Sequence, residues 1–207
     1  MKQSYRTVLK EASAEFIEKR SRFIASVKPV KSEEEALLFL DSLKKKYWDA
    51  KHNVYAYIIE ENNIQRYSDD GEPAGTAGVP VLDMIKKEGL SNLVVVVTRY
   101  FGGILLGTGG LVHAYSKSAK LGVEAAEPID MVLCRDVKIY LDYSLLGKVQ
   151  NEILGKNLKI TDTEYTDSII LSVRVPEENA ESFKDYMIDK TNGKVEIKFG
   201  VTEYSKI

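Results

Sequence analysis

One stretch constrains this chain more than any other: Asn92 to Glu127, NLVVVVTRYFGGILLGTGGLVHAYSKSAKLGVEAAE. Leu93 to Val97 is a continuous, mostly β-branched run, short enough for a strand covered on both faces. Arg99 and Tyr100 stand at its end, and Gly102, Gly103, Gly107, Gly109 and Gly110 follow within nine positions. Glycine at that density marks backbone in left-handed regions or backbone that something approaches closely. A helix is expected from Leu111, opening with free N–H groups and a positive dipole end. A loop of this kind feeding a helix N-terminus suits an anion. His113 and Lys117 are four apart and share a stripe, which Lys120 and Glu124 continue. Val112, Tyr115, Ala119, Val123 and Ala126 form the expected packed side. The plainer alternative is that the glycines only turn the chain and the stripe is a solvated face.

A second unusual stretch is RYSDDGEPAGTAGVP. Asp69, Asp70 and Glu72 cluster around Gly71. Three carboxylates so close could bind a divalent cation or act as acid and base. They could equally form an acidic turn whose carboxylates accept backbone N–H groups. A helix is expected to begin between Thr76 and Pro80, with Thr76 as cap and Val81, Met84 and Ile85 inward. Neither a calcium-loop spacing nor a paired-histidine motif occurs, so no metal and no cofactor is expected.

The chain carries 29 basic and 31 acidic side chains, a net charge of −2. Such a balance argues against a surface coated in cations for bulk nucleic-acid binding. A phosphate-bearing partner would have to meet a local patch. The candidate anion site therefore comprises Arg66, Arg99, Gly107, Thr108, Gly109, Gly110, His113 and Lys117, provided the fold brings them together.

Elsewhere the patterns are ordinary. Strands are expected around Arg6–Lys10 and Arg22–Lys28. Ser32 with Glu35 forms a capping box for a helix burying Ala36, Phe39, Leu40, Leu43 and Tyr47. Lys44, Lys45 and Lys46 fall in its last turn, where cations suit the dipole. Trp48 follows as a packing residue. His52 opens the strand HNVYAYIIE, and a turn at Glu61–Asn63 makes a hairpin with IQRYS. Pro128–Asp130 is a boundary, giving domains 1–129 and 130–207. Beyond it come a strand alternating through Val137, Ile139, Leu141 and Tyr143, and a helix capped by Ser144. A hairpin about Thr166–Asp167, a helix from Pro176 and a last strand through Val195–Val201 complete a βαββαβ, ferredoxin-like order.

Several chemistries lack their motifs. Two histidines, His52 and His113, are too few for a two-metal, multi-histidine peptidase. No phosphate-loop NTPase motif, dinucleotide fingerprint or nucleophile elbow occurs. The longest apolar run is far below the ~20 residues of a membrane span, and the first residues lack a secretory apolar region. The single Cys134 has no disulfide partner within the chain, which fits a cytoplasmic location.

At SDDGEPAGTAGVP and VVVTRYFGGILLGTGGLVHAY, with SRFIASV and HNVYAYI in agreement, the chain resembles the YigZ/Impact family, in its bacterial two-domain form. The resemblance implies an α+β protein. Its N-terminal domain would be of the ribosomal protein S5 domain 2-like type, and its ferredoxin-like C-terminal domain similar to the last domain of elongation factor G. It implies a non-enzymatic, translation-associated regulator that binds RNA or a ribosome-associated protein. The eukaryotic Impact proteins regulate translation through protein partners. An alternative reading is an enzyme acting on a small phosphorylated or carboxylated substrate at the same pocket. Leu105 stands where the family often has lysine, and His113 where it often has arginine, which lowers the fixed positive charge near the loop.

Overall fold

The structure, a computed structural model, describes residues 2–206. Its contacts divide the chain into two compact units: Tyr5–Asp130, and a second formed by the residues up to Ser4 with Met131 onward.

The first unit contains β1 (Ser4–Val8, most of it), β2 (Ala12–Glu18), β3 (Ser21–Pro29), α1 (Glu33–Lys46), β4 (His52–Ile59), β5 (Ile64–Ser68), α2 (Gly78–Lys87), β6 (Leu93–Tyr100) and α3 (Gly107–Ala125). Five strands form one sheet in the order β2-β3-β6-β4-β5, with every neighbouring pair antiparallel. β6 is central, and both its faces are covered. Val95 and Val97 pack with Ala25, Val54, Val81 and Tyr115 against α2 and α3. Val94 and Val96 pack with Phe39, Leu40 and Tyr57 against α1. That is why an antiparallel strand reads as an unbroken apolar run, the pattern usual for strands buried on both sides.

The capping box at Ser32 forms. Ser32 Oγ accepts from the Glu35 N–H at 3.2 Å, and Glu35 reaches back to the Lys31 N–H at 2.7 Å. Other expectations change, and Trp48, expected to pack, is exposed. β2 appears as an edge strand. α3 begins at Gly107 instead of Leu111, so the last three glycines of the motif form its first turn. Val112 is 40% exposed, and the packed face runs through Leu111, Ala114, Tyr115, Ser118, Ala119 and Gly122 instead.

The second unit contains β7 (Pro128–Leu141, from Met131), α4 (Leu146–Gly155), β8 (Ile160–Tyr165), β9 (Ile169–Pro176), α5 (Ala180–Lys190) and β10 (Glu196–Lys206). The strands lie in the order β10-β7-β9-β8, all antiparallel. This is the ferredoxin-like βαββαβ plan expected. Val137, Ile139 and Leu141 face Val149, Ile153, Phe183 and Met187 of the helices. Ser144 does not cap α4: it sits in a short 3₁₀ turn, Tyr143–Leu145, and Leu145 stands at the N-cap. Cys134 is a buried strand residue, and burial raises its thiol pKa above the ordinary value against the opposing pull of Arg174.

No helix among the described residues is long and apolar enough to cross a membrane.

Candidate functional site

Strand register collects four connections at one end of the first sheet. Arg22 of β3 and His52 of β4 pair with Tyr100 and Arg99 at the end of β6. The β2–β3 turn, the α1–β4 connection and the β6–α3 loop therefore meet there. The acidic stretch joins them, because His52 Nδ1 lies 2.8 Å from the Asp70 carbonyl. A carbonyl only accepts, so Nδ1 donates there, and Nε2 lies 3.9 Å from Glu72 Oε1.

The acidic stretch is built from inside. The Glu72 N–H donates to the Asp69 carbonyl at 3.0 Å, closing a turn in which Asp70 (φ 43°) and Gly71 (φ 85°) are both left-handed. An Asp-Gly pair suits such a type I′ turn. Each carboxylate then has its own task. Asp69 accepts from the N–H groups of Gly75 (2.9 Å), Ala77 (3.0 Å) and Gly78 (2.8 Å), and so caps α2. Thr76, expected as the cap, instead donates its hydroxyl to the Pro73 carbonyl at 2.7 Å. Asp70 accepts from the Asn53 N–H at 2.6 Å, and Asn53 accepts from the Thr98 hydroxyl at 2.7 Å.

Glu72 is the buried centre of this end. Its Oε1 accepts from Arg99 at 2.5 Å and from the Tyr115 hydroxyl at 2.8 Å, with side-chain exposure of 4% for Glu72 and 6% for Arg99. Burial first, then the Glu72 charge, pushes the Tyr115 hydroxyl far above its ordinary pKa, so it stays a donor. Arg99 also lies over the rings of Phe23 and Phe101. The Ser21 hydroxyl receives the Gly102 N–H at 3.2 Å. Gly102 sits so close to the β2–β3 turn that a Cβ would lie 2.0 Å from the Arg20 carbonyl carbon. Only glycine fits there.

The expected basic cluster does not assemble as a whole. Arg66 pairs across the strands with Tyr57, so it lies on the α1 face of the sheet, where its guanidinium is 3.8 Å from Glu33. Arg99 pairs with Phe23, on the opposite face. Side chains alternate between faces, so the two cannot share a pocket. Arg99 is also committed to Glu72 and is not free to receive an anion. Lys117 lies 4.3 Å above the Phe16 ring, while His113 is exposed. Gly107, Thr108 and Gly109 are exposed in the first turn of α3, beside the half-buried Gly110. Leu106 at its N-cap makes no side-chain capping bond, and its first turn holds no acid. Two cations absent from the sequence reading stand nearby. Lys19 and Arg20 form the β2–β3 turn that packs on Gly102, both with positive φ. Their neighbourhood depends on a contact between residues some eighty positions apart, so no local spacing could have announced it.

Among the described residues no three His, Cys, Asp or Glu side chains are grouped to hold a metal ion. What the site offers is a rigid polar core under an exposed, glycine-rich helix N-terminus.

The model of the Impact N-terminal domain matches residues 19–123, and that of a domain of unknown function, DUF1949, matches residues 139–194. The chain is 41% identical to the IMPACT family member YvyE of Bacillus subtilis (strain 168), over 99% of this chain and 94% of that protein. It is 31% identical to the IMPACT family member YigZ of Escherichia coli (strain K12), over 86% and 89%. Protein IMPACT of Homo sapiens is 30% identical over 69% of this chain and 41% of its own length. A solved structure described as the crystal structure of an hypothetical protein matches with a TM-score of 0.62 at 28% identity, covering 95% and 97% of the two chains.

Proposed function

The chain belongs to the Impact family, and from that premise we propose that it is a translation-associated regulator that binds RNA through the N-terminus of α3. One observation carries this reading. Two helices begin at the same end of the sheet, and only one is filled. Asp69 places a carboxylate on the N–H groups of Ala77 and Gly78 at the start of α2, and on that of Gly75 just before it. The start of α3 has exposed glycines, an N-cap residue, Leu106, with no capping bond, and no acid in its first turn. A phosphate oxygen is the natural counterpart of what Asp69 supplies next door. Lys19, Arg20, His113 and Lys117 would add positive charge around it. Arg99 acts one layer down, holding Glu72 and Tyr115 together beneath the loop.

RNA retention by the full chain, measured across a salt series, tests this. Binding that weakens with a slope of a few released counterions per complex is expected. Arg20→Ala should lower affinity for every RNA sequence alike, because phosphate contacts carry no sequence information. No retention at low salt would contradict the reading.

A further inference from the structure

The most exposed large apolar side chains among the described residues are Leu105, at 83%, and Trp48, at 82%. Both lie at the end of the sheet just described. Trp48 follows the last turn of α1. Its neighbour Asp49 accepts from the Tyr100 hydroxyl at 2.8 Å. Arg22, the cross-strand partner of Tyr100, lies 5.8 Å over the Tyr100 ring. Phe101 comes next in the chain and is 48% exposed. An aromatic path thus leads from Trp48 on the α1 side, by Tyr100 and Phe101, to the glycine loop on the α3 side.

The charge around Trp48 is one-sided. Between Lys44 and Lys51 stand four lysines and one aspartate, and that aspartate already holds the Tyr100 hydroxyl. Lone exposed apolar residues need no explanation. An aromatic side chain 82% open to water, with four lysines within four positions of it in the chain, is different. Protein–protein contacts are depleted in lysine at their centres. Grooves for unpaired nucleotides combine cations that follow the backbone with aromatic faces on which bases stack. A duplex offers no free base face, so it cannot use such a ring.

We propose that this end of the sheet takes unpaired nucleotides, with Trp48 stacking on one base while a phosphate sits at the start of α3. This rests on the RNA reading above and adds the strand state that is recognised. Trp48 is the only tryptophan in the chain, so its fluorescence reports this position alone.

The test titrates the full chain with an oligouridine of about twelve nucleotides and with a duplex of equal length, following RNA anisotropy and tryptophan emission together. Quenching of Trp48 by the single strand is expected, with affinity for it at least about tenfold above that for the duplex. Trp48→Leu should weaken single-strand binding about tenfold, Trp48→Phe should restore part of it, and neither should change duplex binding. RNA bound with unchanged emission and an indifferent Trp48→Leu variant would overturn the stacking role and leave the RNA reading standing. Equal affinity for strand and duplex would do the same. RNA unbound at low salt would overturn both. Emission that responds to ribosomal proteins but not to RNA would overturn it in favour of a protein contact.

Discussion

The starts of α2 and α3 are neighbours at one end of one sheet, and they solve the same problem differently. Each presents backbone N–H groups without intrahelical partners. At α2 the chain supplies its own anion, Asp69, from a rigid type I′ turn. At α3 it supplies three glycines and Thr108, with no acid in the first turn. The first arrangement is closed and stabilises the fold. The second leaves its donors to the surroundings, and the buried Glu72–Arg99–Tyr115 cluster keeps the loop above them in place. An acidic motif and a glycine motif that look like two halves of one reactive site are thus a closed helix start and an open one.

Breaking the buried cluster should have the largest effect. Glu72→Leu leaves the Arg99 guanidinium buried without its partner, and about 3–5 kcal/mol of stability should be lost in urea unfolding. If Arg99 moves to water and the variant loses less than 1 kcal/mol, the cluster is not what fixes this end. Gly102→Ala drives a Cβ into the Arg20 carbonyl. It should cost about 1–3 kcal/mol and should weaken RNA binding, because the loop must leave the β2–β3 turn. Asp69→Ala opens the closed helix start, at about 1 kcal/mol. Added phosphate should then raise the melting temperature of this variant more than that of the unaltered chain, since a second empty N-terminus has been created.

Tyr115 gives a pH signature. Its folded pKa lies far above the ordinary 10.0 because of burial and the Glu72 charge. The unfolded chain releases this proton near pH 10 while the folded chain keeps it. Tyr115 therefore makes stability fall as pH rises above about 10, with no effect below. Tyr115→Phe should flatten that part of the denaturation profile. The smallest expected effect is a gain. Thr108→Asp places a carboxylate in the first turn of α3 and should add about 0.3–1 kcal/mol.

Much of the fold was legible because its patterns are local. The run Leu93–Val97, the capping box at Ser32 and the alternation Val137–Ile139–Leu141 each specify an element within a few residues. β2 was missed because its inward positions begin with the small Ala12 and Ala14 and the apolar Ile17 stands on its outward face, as an edge strand half open to solvent allows. The start of α3 was read one turn late, since Gly107, Gly109 and Gly110 are poor helix formers. The site was harder to read. The reach of Asp69 to Gly78 and of Glu72 to Arg99 depends on turn and register, which no spacing rule encodes. The separation of Arg66 from Arg99 was recoverable in principle: once β4, β5 and β6 are paired, their alternation puts the two on opposite faces.

The amide chemical shifts of Gly107, Thr108, Gly109 and Gly110 during titration with inorganic phosphate test the proposed anion site most directly. Saturable shifts at these four amides are expected in the unaltered chain. They should be abolished in Thr108→Asp, with the amides of Gly75, Ala77 and Gly78 unmoved in both. Shifts of the same size in Thr108→Asp, or none at the start of α3 in either protein, would contradict an anion site there.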